Sequence, residues 1–337
     1  MKRVLITGTA GFIGFHLSKL LLKDGFEVHG VDAITDYYDV NLKRRRHQML
    51  HQNPQFSATE CWLEDFDRFS AVAKEFNPDV IVHLAAQAGV RYSLENPRAY
   101  LDSNVTGTFN VMEVAKDLGV EHLLMASTSS VYGANEDMPF SELDKCDTPL
   151  TFYAATKKAN ESMAHAYAHL WGLPTTMFRF FTVYGPWGRP DLALFKFVDA
   201  MLDGRAIDVY NHGEMYRDFT YVEDLVRGIR LLIDEIPERT TTTDCVLEGD
   251  SLSPVAPYRI VNIGNSEKVK LTDFIEAIED CLGVKAKRNL MEMQKGDVPA
   301  TWADASLLEA LTGYQPRTQV REGIKNFVTW FRDYYGK

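Results

Sequence analysis

The sequence predicts an α/β fold in which a doubly wound parallel sheet is followed by a smaller C-terminal lobe. Through the first half of the chain, short apolar runs alternate with longer amphipathic runs, which is the pattern of successive βαβ units. Beyond Tyr184 the alternation gives way to helices mixed with turns rich in glycine, proline and aromatic residues. We therefore place one domain at residues 1–183 and assign residues 184–337 mainly to a lobe at the carboxyl edge of the sheet, where such folds bind ligands.

Six apolar runs in the first half have the length of strands, and helical periodicity separates most of them. They are Arg3–Thr7, Glu27–Asp32, Ser57–Leu63, Val80–Leu84, Glu121–Ser127 and Thr175–Phe180. A polar, threonine-rich stretch at residues 239–257 predicts an exposed loop, and Arg259–Ile263 after it predicts another strand. We expect the segments near 217–236 and 258–264 to return to the first domain.

The charge balance argues against a nucleic acid partner. There are 36 lysine and arginine residues against 47 aspartate and glutamate residues, a net charge of −11, whereas nucleic acid binders concentrate basic residues on one face. The basic run from Lys43 to Arg46 is the exception. We interpret it as a solvated face or a contact to a diphosphate, with a nucleic acid patch as the alternative.

Cysteine spacing and hydropathy predict a reduced, cytoplasmic protein with no metal. Cys61, Cys146, Cys245 and Cys281 form no CxxC pair, so neither a zinc site nor a disulfide framework is indicated. The first predicted strand begins at Arg3, which leaves no room for a signal peptide, and no apolar run approaches the length of a membrane span. We expect no membrane partner.

Three glycines after the first strand predict a dinucleotide site. Gly8, Gly11 and Gly14 would allow a tight turn, close approach of backbone N–H groups to a pyrophosphate, and close packing of the next helix. Asp32 at the end of the second strand can accept hydrogen bonds from a ribose diol and would repel a 2′-phosphate, which favours NAD over NADP. Asp65 after the third strand is either an adenine contact or the N-cap of the next helix.

A tyrosine and a lysine four residues apart predict a general base. Tyr153 and Lys157 would lie on one face of a helix, where the ammonium favours the phenolate and lowers the pKa of the phenol. The fifth predicted strand ends in a run of hydroxyl residues at the same sheet edge. Thr128 in that run can hydrogen-bond a reacting hydroxyl, although such residues also serve simply to stabilise turns.

These motifs resemble the extended short-chain dehydrogenase/reductase superfamily, and within it the NAD-dependent nucleotide-sugar epimerases. The similarity spans nearly the whole chain. The motifs are TGTAGFIG at Thr7–Gly14, HLAAQAGVRYS at His83–Ser93, STSSVYG at Ser127–Gly133, YAATK at Tyr153–Lys157, FRFFTVYGPWGRPD at Phe178–Asp191, RDFTYVED at Arg217–Asp224 and GDVPATWAD at Gly296–Asp304.

The resemblance implies a Rossmann-type domain that holds NAD and a lobe that binds a UDP-sugar. The implied catalytic residues are Thr128, Tyr153 and Lys157. The implied cofactor residues are Gly8, Gly11, Phe12, Ile13, Gly14, Asp32, Lys43, Asp65, Phe66, Leu84, Ala85, Gln87, Ser127, Tyr153, Lys157 and Phe180. The implied substrate residues are Arg91, Ser93, Thr128, Ser129, Ser130, Thr182, Arg189, Arg217 and Asp297.

Among these epimerases the chain is most similar to the UDP-glucuronate 4-epimerases. Thr182 stands where the hexose 4-epimerases have an asparagine, and Arg189 offers a planar fork that, with Thr182, would clamp a C6 carboxylate. Ser129 and Ser130 stand where related dehydratases and decarboxylases carry acidic residues. The alternatives are a UDP-glucose/UDP-galactose 4-epimerase, a nucleotide-sugar dehydratase or decarboxylase, and an NAD-binding regulatory protein without chemistry.

The resemblance also implies a mechanism and an assembly. Tyr153 as phenolate would remove the O4 proton while hydride leaves C4, and reduction of the other face of the 4-keto sugar would invert C4 with no net redox change. Members of the family commonly form homodimers by pairing two helices per subunit. Here those helices would be Pro97–Leu118 and Thr151–Trp171.

Overall fold

The computed structural model describes residues 1–239 and 247–337, and it has the predicted α/β fold. In chain order its strands are β1 (Arg3–Thr7), β2 (Glu27–Asp32), β3 (Phe56–Glu60), β4 (Val80–His83), β5 (His122–Ala126), β6 (Thr175–Phe180), β7 (Thr182–Tyr184), β8 (Ala206–Tyr210), β9 (Tyr216–Arg217), β10 (Phe219–Tyr221), β11 (Tyr258–Ile263), β12 (Val269–Lys270), β13 (Lys287–Met291) and β14 (Ala300–Thr301).

Most helices of the described residues lie between these strands, and the last two follow β14. They are α1 (Phe12–Lys23), α2 (Val40–Leu50), α3 (Phe66–Phe76), α4 (Tyr92–Glu95), α5 (Pro97–Tyr100), α6 (Thr108–Leu118), α7 (Phe152–Trp171), α8 (Ala193–Leu202), α9 (Val222–Leu232), α10 (Leu271–Leu282), α11 (Ser306–Thr312) and α12 (Val320–Tyr335). A π-helical turn at Leu101–Gly107 joins α5 to α6, and a 3₁₀ turn at Ser129–Tyr132 follows β5.

Seven parallel strands form the main sheet in the order β11-β6-β5-β4-β1-β2-β3. The chain leaves β1 toward β2 and β3 on one side and then continues through β4, β5 and β6 on the other. The carboxyl ends of β1 and β4 therefore border the topological switch point, where open α/β sheets bind their ligands. β11 pairs with β6 from Tyr258↔Thr175 to Ile263↔Phe180.

The predicted strands match the observed ones to within a few residues. β1, β2 and β6 have the predicted bounds. β3 ends at Glu60, three residues earlier than predicted, because Cys61–Glu64 leave the sheet and line a cavity instead. The predicted loop at residues 239–257 lies partly outside the described residues, as does Cys245.

Alternating side chains of the central strands build two cores on opposite faces of the sheet. Val4 and Ile6 pack with α1 and α9, while Leu5 packs with α3, α6 and α7. A third core joins α8, α10 and α12 of the C-terminal lobe. No helix among the described residues combines the length and the apolar character needed to cross a bilayer.

Two buried histidines of the main sheet are neutral and hydrogen-bond to threonine hydroxyls. His83 of β4 lies with Nδ1 2.8 Å from Thr7 Oγ1 and Nε2 2.9 Å from Thr108 Oγ1, and burial lowers its pKa to about 3. His122 of β5 lies with Nε2 2.9 Å from Thr176 Oγ1, and burial lowers its pKa to about 4. Both rings are therefore neutral in the folded protein at neutral pH.

The contribution of His122 to stability should therefore fall as the pH drops from about 6.5 toward 4. In this range the unfolded chain binds a proton at His122 and the folded protein does not, so each decrease in pH favours unfolding. Replacing His122 with glutamine should remove about 2 kcal/mol of the loss in unfolding free energy between pH 7 and pH 5. Denaturant titrations at both pH values measure this difference.

The matched control is His212→Gln, because that ring is exposed. Comparing variants is necessary because Glu142 and Asp218 act in the opposite sense: burial raises their pKa to about 7 and about 6. An equal pH dependence in His122→Gln and the parent protein would contradict the assignment.

Candidate active site

A cavity of about 940 Å³ lies over the carboxyl ends of the strands, between the sheet and the C-terminal lobe. The sheet contributes residues at or just after the ends of β1, β2, β4, β5 and β6. The segments around Arg189, Arg217 and Asp297 complete the lining. Four predicted site residues do not line the cavity, namely Asp65, Phe66, Arg91 and Ser93.

The glycine loop after β1 forms a close-fitting cradle at one end of the cavity. Gly8 has a φ of +84°, and a Cβ there would lie 2.8 Å from the Ala85 backbone N. A Cβ on Gly14 would lie 2.1 Å from the Gly8 carbonyl oxygen. Gly11 caps α1, whose first N–H groups have no helical partner and favour an anion. The loop thus has the shape and polarity of a pyrophosphate site.

Asp32 and Lys43 stand beside this cradle as predicted. Asp32 Oδ2 accepts from the Ala10 N–H at 2.9 Å and Oδ1 from the Ile34 N–H at 2.8 Å, which fixes the carboxylate at the cavity wall. Lys43 Nζ donates to the Thr35 carbonyl at 2.7 Å. Burial lowers the pKa of Lys43, while Asp32 acts to raise it. Both charges therefore face the same end of the cavity.

Asp65 and Phe66, predicted as cofactor residues, lie outside the cavity lining. Asp65 Oδ1 accepts from the Arg68 N–H at 3.2 Å, so this residue is the N-cap of α3. Phe66 is exposed outside the cavity. Because the chain curves inward at Cys61–Glu64, those residues form the wall instead. Leu84, Ala85 and Gln87 line the opposite side.

Tyr153 and Lys157 both line the cavity from successive turns of α7. Thr151 caps this helix by accepting from the Ala154 N–H at 3.2 Å. Lys157 Nζ donates to the Ala126 carbonyl at the end of β5, at 2.9 Å. Burial lowers the pKa of Lys157 to about 8. The lysine is thus an ammonium at neutral pH, held next to the end of β5.

The pKa of Tyr153 differs from the sequence-based expectation. Burial raises it, while the Thr128 hydroxyl and the charge of Arg189 act to lower it. Lys157 was expected to provide the lowering charge, but its amine is directed to the Ala126 carbonyl. Arg189, a residue distant in sequence, is the positive charge that acts on the phenol.

A buried ion pair holds α7 against β5 and β6. The Arg179 guanidinium of β6 donates from Nε and Nη2 to the Glu161 carboxylate, each at 3.0 Å. Ser127 Oγ donates to the same carboxylate at 2.6 Å. Burial acts to raise the pKa of Glu161, but Arg179 outweighs it and keeps the carboxylate ionised. Ser127, predicted as a cofactor residue, therefore also positions the helix.

Sequence reasoning missed Glu161 and Arg179. The available signal was spacing, since Glu161 stands four residues after Lys157 and eight after Tyr153 on the same helix face. Arg179 is the one charged residue of β6, whose residues are all buried, and a charge in such a strand needs a buried partner.

The hydroxyl run after β5 lines the cavity and also shapes its own turn. Thr128 Oγ1 accepts from the Ser130 N–H at 3.2 Å and lies 3.3 Å from Ser130 Oγ. Thr128, Ser129 and Ser130 all face the cavity, as do Thr182 and Phe180 on the neighbouring segment. The two interpretations of these hydroxyls, turn and site, are thus compatible.

Arg189 reaches the cavity with one edge of its guanidinium already paired. Nε donates to Asp191 Oδ1 at 2.9 Å and Nη2 donates to Asp191 Oδ2 at 2.5 Å. The expected clamp of Arg189 with Thr182 did not include this carboxylate. A ligand carboxylate would therefore meet the side of the fork that Asp191 leaves open.

The predicted UDP-side residues divide into two pairs. Arg217 and Asp297 line the cavity, and Arg217 donates from Nη2 to the Val298 carbonyl at 2.8 Å. Arg91 does not line the cavity, and its guanidinium pairs with the cavity residue Asp297 at 3.1 Å. Ser93 is buried and donates to the Val90 carbonyl at 2.6 Å, so it supports the loop instead of facing a substrate.

The chain is similar to known proteins along nearly its whole length. Residues 4–245 match the NAD dependent epimerase/dehydratase family. A probable UDP-glucuronate 4-epimerase of Rhizobium meliloti (strain 1021) is 54% identical over 333 residues, which cover 99% of this chain and 98% of that protein. UDP-glucuronate 4-epimerase 4 of Arabidopsis thaliana is 44% identical over 337 residues, covering 98% of this chain and 76% of that protein.

A solved structure is also similar to this chain over its whole length. The UDP-glucuronic acid 4-epimerase from Bacillus cereus, in complex with UDP-glucuronic acid and NAD, has a TM-score of 0.87 to this chain at 30% identity. The similarity covers 99% of this chain and all of that one, at 100%.

Replacing one member of the buried ion pair should lower the free energy of unfolding more than replacing both members. We expect Glu161→Leu to lower the free energy of unfolding by about 3–5 kcal/mol, because it leaves the Arg179 charge buried without a partner. The double variant Glu161→Leu/Arg179→Leu should recover most of that loss. Denaturant unfolding of the single and double variants measures both values.

The exposed pair Glu309–Arg317 provides the control, since Glu309→Leu should change stability by less than about 1 kcal/mol. A Glu161→Leu variant as stable as this control would show that the buried pair does not hold the helix.

Proposed function

Because the chain belongs to the NAD dependent epimerase/dehydratase family, we propose that it is an isomerase that interconverts UDP-glucuronate and UDP-galacturonate by inverting C4. The observation that carries the proposal is the content of one cavity. It brings together the glycine cradle, the Thr128/Tyr153/Lys157 set and the polar side chains at Thr182 and Arg189. The residues proposed for proton transfer, cofactor binding and carboxylate recognition thus line the same cavity.

The residues present fit NAD. The cradle at Gly8 and Gly14 leaves no space for side chains, and the N-terminus of α1 opens toward the cavity. Asp32 suits a ribose diol and disfavours a 2′-phosphate. When bound, NAD supplies hydride acceptance and return, so that the sugar is oxidised and then reduced with no net redox change.

The chain's own residues handle the proton. Tyr153, as phenolate, takes the proton of the sugar O4 hydroxyl, and Thr128 hydrogen-bonds the same hydroxyl. Arg189 supplies positive charge that acts on Tyr153, while Lys157 is held against the Ala126 carbonyl at the end of β5. Tyr153 then returns the proton to the ketone oxygen after the sugar has turned its other face, and the configuration at C4 is inverted.

The polar end of the cavity also protects the intermediate. A 4-keto uronate is a β-keto acid, which loses CO₂ when its carboxylate bond aligns with the ketone π-system. Ser129, Ser130, Thr182 and Arg189 line the cavity where they can hold the carboxylate out of that alignment. This arrangement supports epimerisation over decarboxylation.

We also propose that the protein is a cytoplasmic homodimer. The helices predicted to pair, α6 with the turns before it and α7, lie side by side in the structure. They carry exposed apolar side chains at Leu101, Phe109 and Trp171, which a second subunit would cover.

Purified protein should convert UDP-glucuronate without added cofactor if NAD remains bound through purification. We expect UDP-galacturonate as the product, resolved from the substrate by anion-exchange chromatography or proton NMR. Turnover of UDP-glucose in place of the uronate would favour a hexose epimerase. Release of CO₂ with a UDP-pentose, or a stable 4-keto product, would indicate a lyase.

Replacing Tyr153 with phenylalanine should lower kcat by about 10²–10⁴ because the proton acceptor is lost. Binding of UDP-glucuronate, measured by calorimetry, should remain. Tyr167→Phe is the matched control, since Tyr167 lies on the same helix with its hydroxyl paired to Glu113 at 2.5 Å, away from the cavity. Activity retained in Tyr153→Phe would remove the proposed base.

A further inference from the structure

We infer that Asp191 is a positioning residue of the uronate pocket, which fixes the Arg189 guanidinium so that its Nη1 side receives the substrate's carboxylate. The inference rests on the proposed role of Arg189. It adds a residue to that site whose action on the substrate passes through the arginine.

The geometry shows which part of the fork is occupied. Asp191 Oδ1 accepts a hydrogen bond from Arg189 Nε at 2.9 Å, and Asp191 Oδ2 accepts one from Nη2 at 2.5 Å. A guanidinium has five N–H groups, so the Nη1 donors and one donor of Nη2 remain. Within residues 1–239 and 247–337, Nη1 has no hydrogen-bond partner. One guanidinium can therefore pair with two carboxylates on different edges.

The side chains of Arg189 and Asp191 differ in whether they reach the cavity. Arg189 lines the cavity, whereas Asp191 does not. An aspartate outside the cavity wall can hold the arginine without occupying the ligand's place. The carboxylate is ionised, because Arg189 more than offsets the effect of burial and keeps the pKa of Asp191 low.

Contacts to Pro186 and Trp187 hold the backbone just before Arg189. The conformation of the Arg189 side chain then remains to be fixed. Arg46 Nη2 donates to the Trp187 carbonyl at 2.6 Å, and His16 Nε2 lies 2.9 Å from the Pro186 carbonyl. The Trp187 ring packs 5.6 Å from Phe15, centroid to centroid. Asp191 completes this arrangement by orienting the long arginine side chain.

Orientation has a direct consequence for binding and for product. Ordering an arginine side chain costs conformational entropy, and a side chain already held before the substrate arrives loses less on binding. Because Asp191 balances the charge of Arg189, attraction for the uronate depends more on the direction of the remaining donors. A misdirected guanidinium would also let the carboxylate of the 4-keto intermediate rotate toward loss of CO₂.

The test compares Asp191→Asn with Asp203→Asn, a matched change in an exposed aspartate–arginine pair far from the cavity. We expect Asp191→Asn to raise the KM for UDP-glucuronate about tenfold, with a smaller change in kcat. A UDP-pentose should appear beside UDP-galacturonate. Asp191→Glu, which keeps the carboxylate, should restore part of the affinity.

UDP-glucose used as a competitive inhibitor separates positioning from general damage. It lacks the carboxylate, so its inhibition constant should be the same in Asp191→Asn and the parent protein. A parallel weakening of UDP-glucose and UDP-glucuronate would overturn the inference. So would a lower KM in Asp191→Asn, because that result would mean that Asp191 competes with the substrate for Arg189.

Arg189→Ala distinguishes failure of this inference from failure of the proposed role of Arg189. If Arg189→Ala leaves the KM for UDP-glucuronate unchanged, Arg189 does not bind the carboxylate and both ideas fail. If Arg189→Ala raises the KM and Asp191→Asn does not, only the positioning role of Asp191 is overturned.

Discussion

The buried pairing of Glu161 with Arg179 is the interaction on which the candidate active site depends. It joins α7 to β6, and through Ser127 it also joins the helix to the end of β5. Tyr153 and Lys157 are carried on the helix face that this contact aligns, while Thr128 follows Ser127 directly. Because burying an unpaired charge strongly destabilises a protein, the ion pair fixes the orientation of α7 about its own axis.

A second buried arginine connects the two ends of the cavity. Arg46 donates from Nη1 to the Ala10 carbonyl at 2.7 Å and from Nη2 to the Trp187 carbonyl at 2.6 Å. The first contact lies in the glycine loop and the second lies two residues before Arg189. The cofactor cradle and the proposed carboxylate pocket thus share one rigid support. Within the basic run, Lys43 and Arg46 are buried beside the site, whereas Arg44 and Arg45 are exposed.

The electrostatics of the cavity explain why the catalytic charges must be assembled from distant segments. Burial raises the pKa of Tyr153, which works against the phenolate that proton removal needs. Lys157 retains its proton at neutral pH but donates to a backbone carbonyl. The Thr128 hydroxyl and the charge of Arg189 act against this rise without reversing it.

The sequence by itself determined the sheet, the glycine cradle, the Tyr153/Lys157 spacing and the family. Each of these is written in neighbouring residues, through apolar periodicity, backbone freedom at glycine, or the turn of a helix. Only the tertiary structure decided that Asp65 caps a helix, that Arg91 pairs with Asp297, and that Asp191 occupies one edge of Arg189. It also decided the Glu161–Arg179 pairing. Such outcomes depend on which side chains meet across the fold, and local pattern does not specify which partner is within hydrogen-bonding distance.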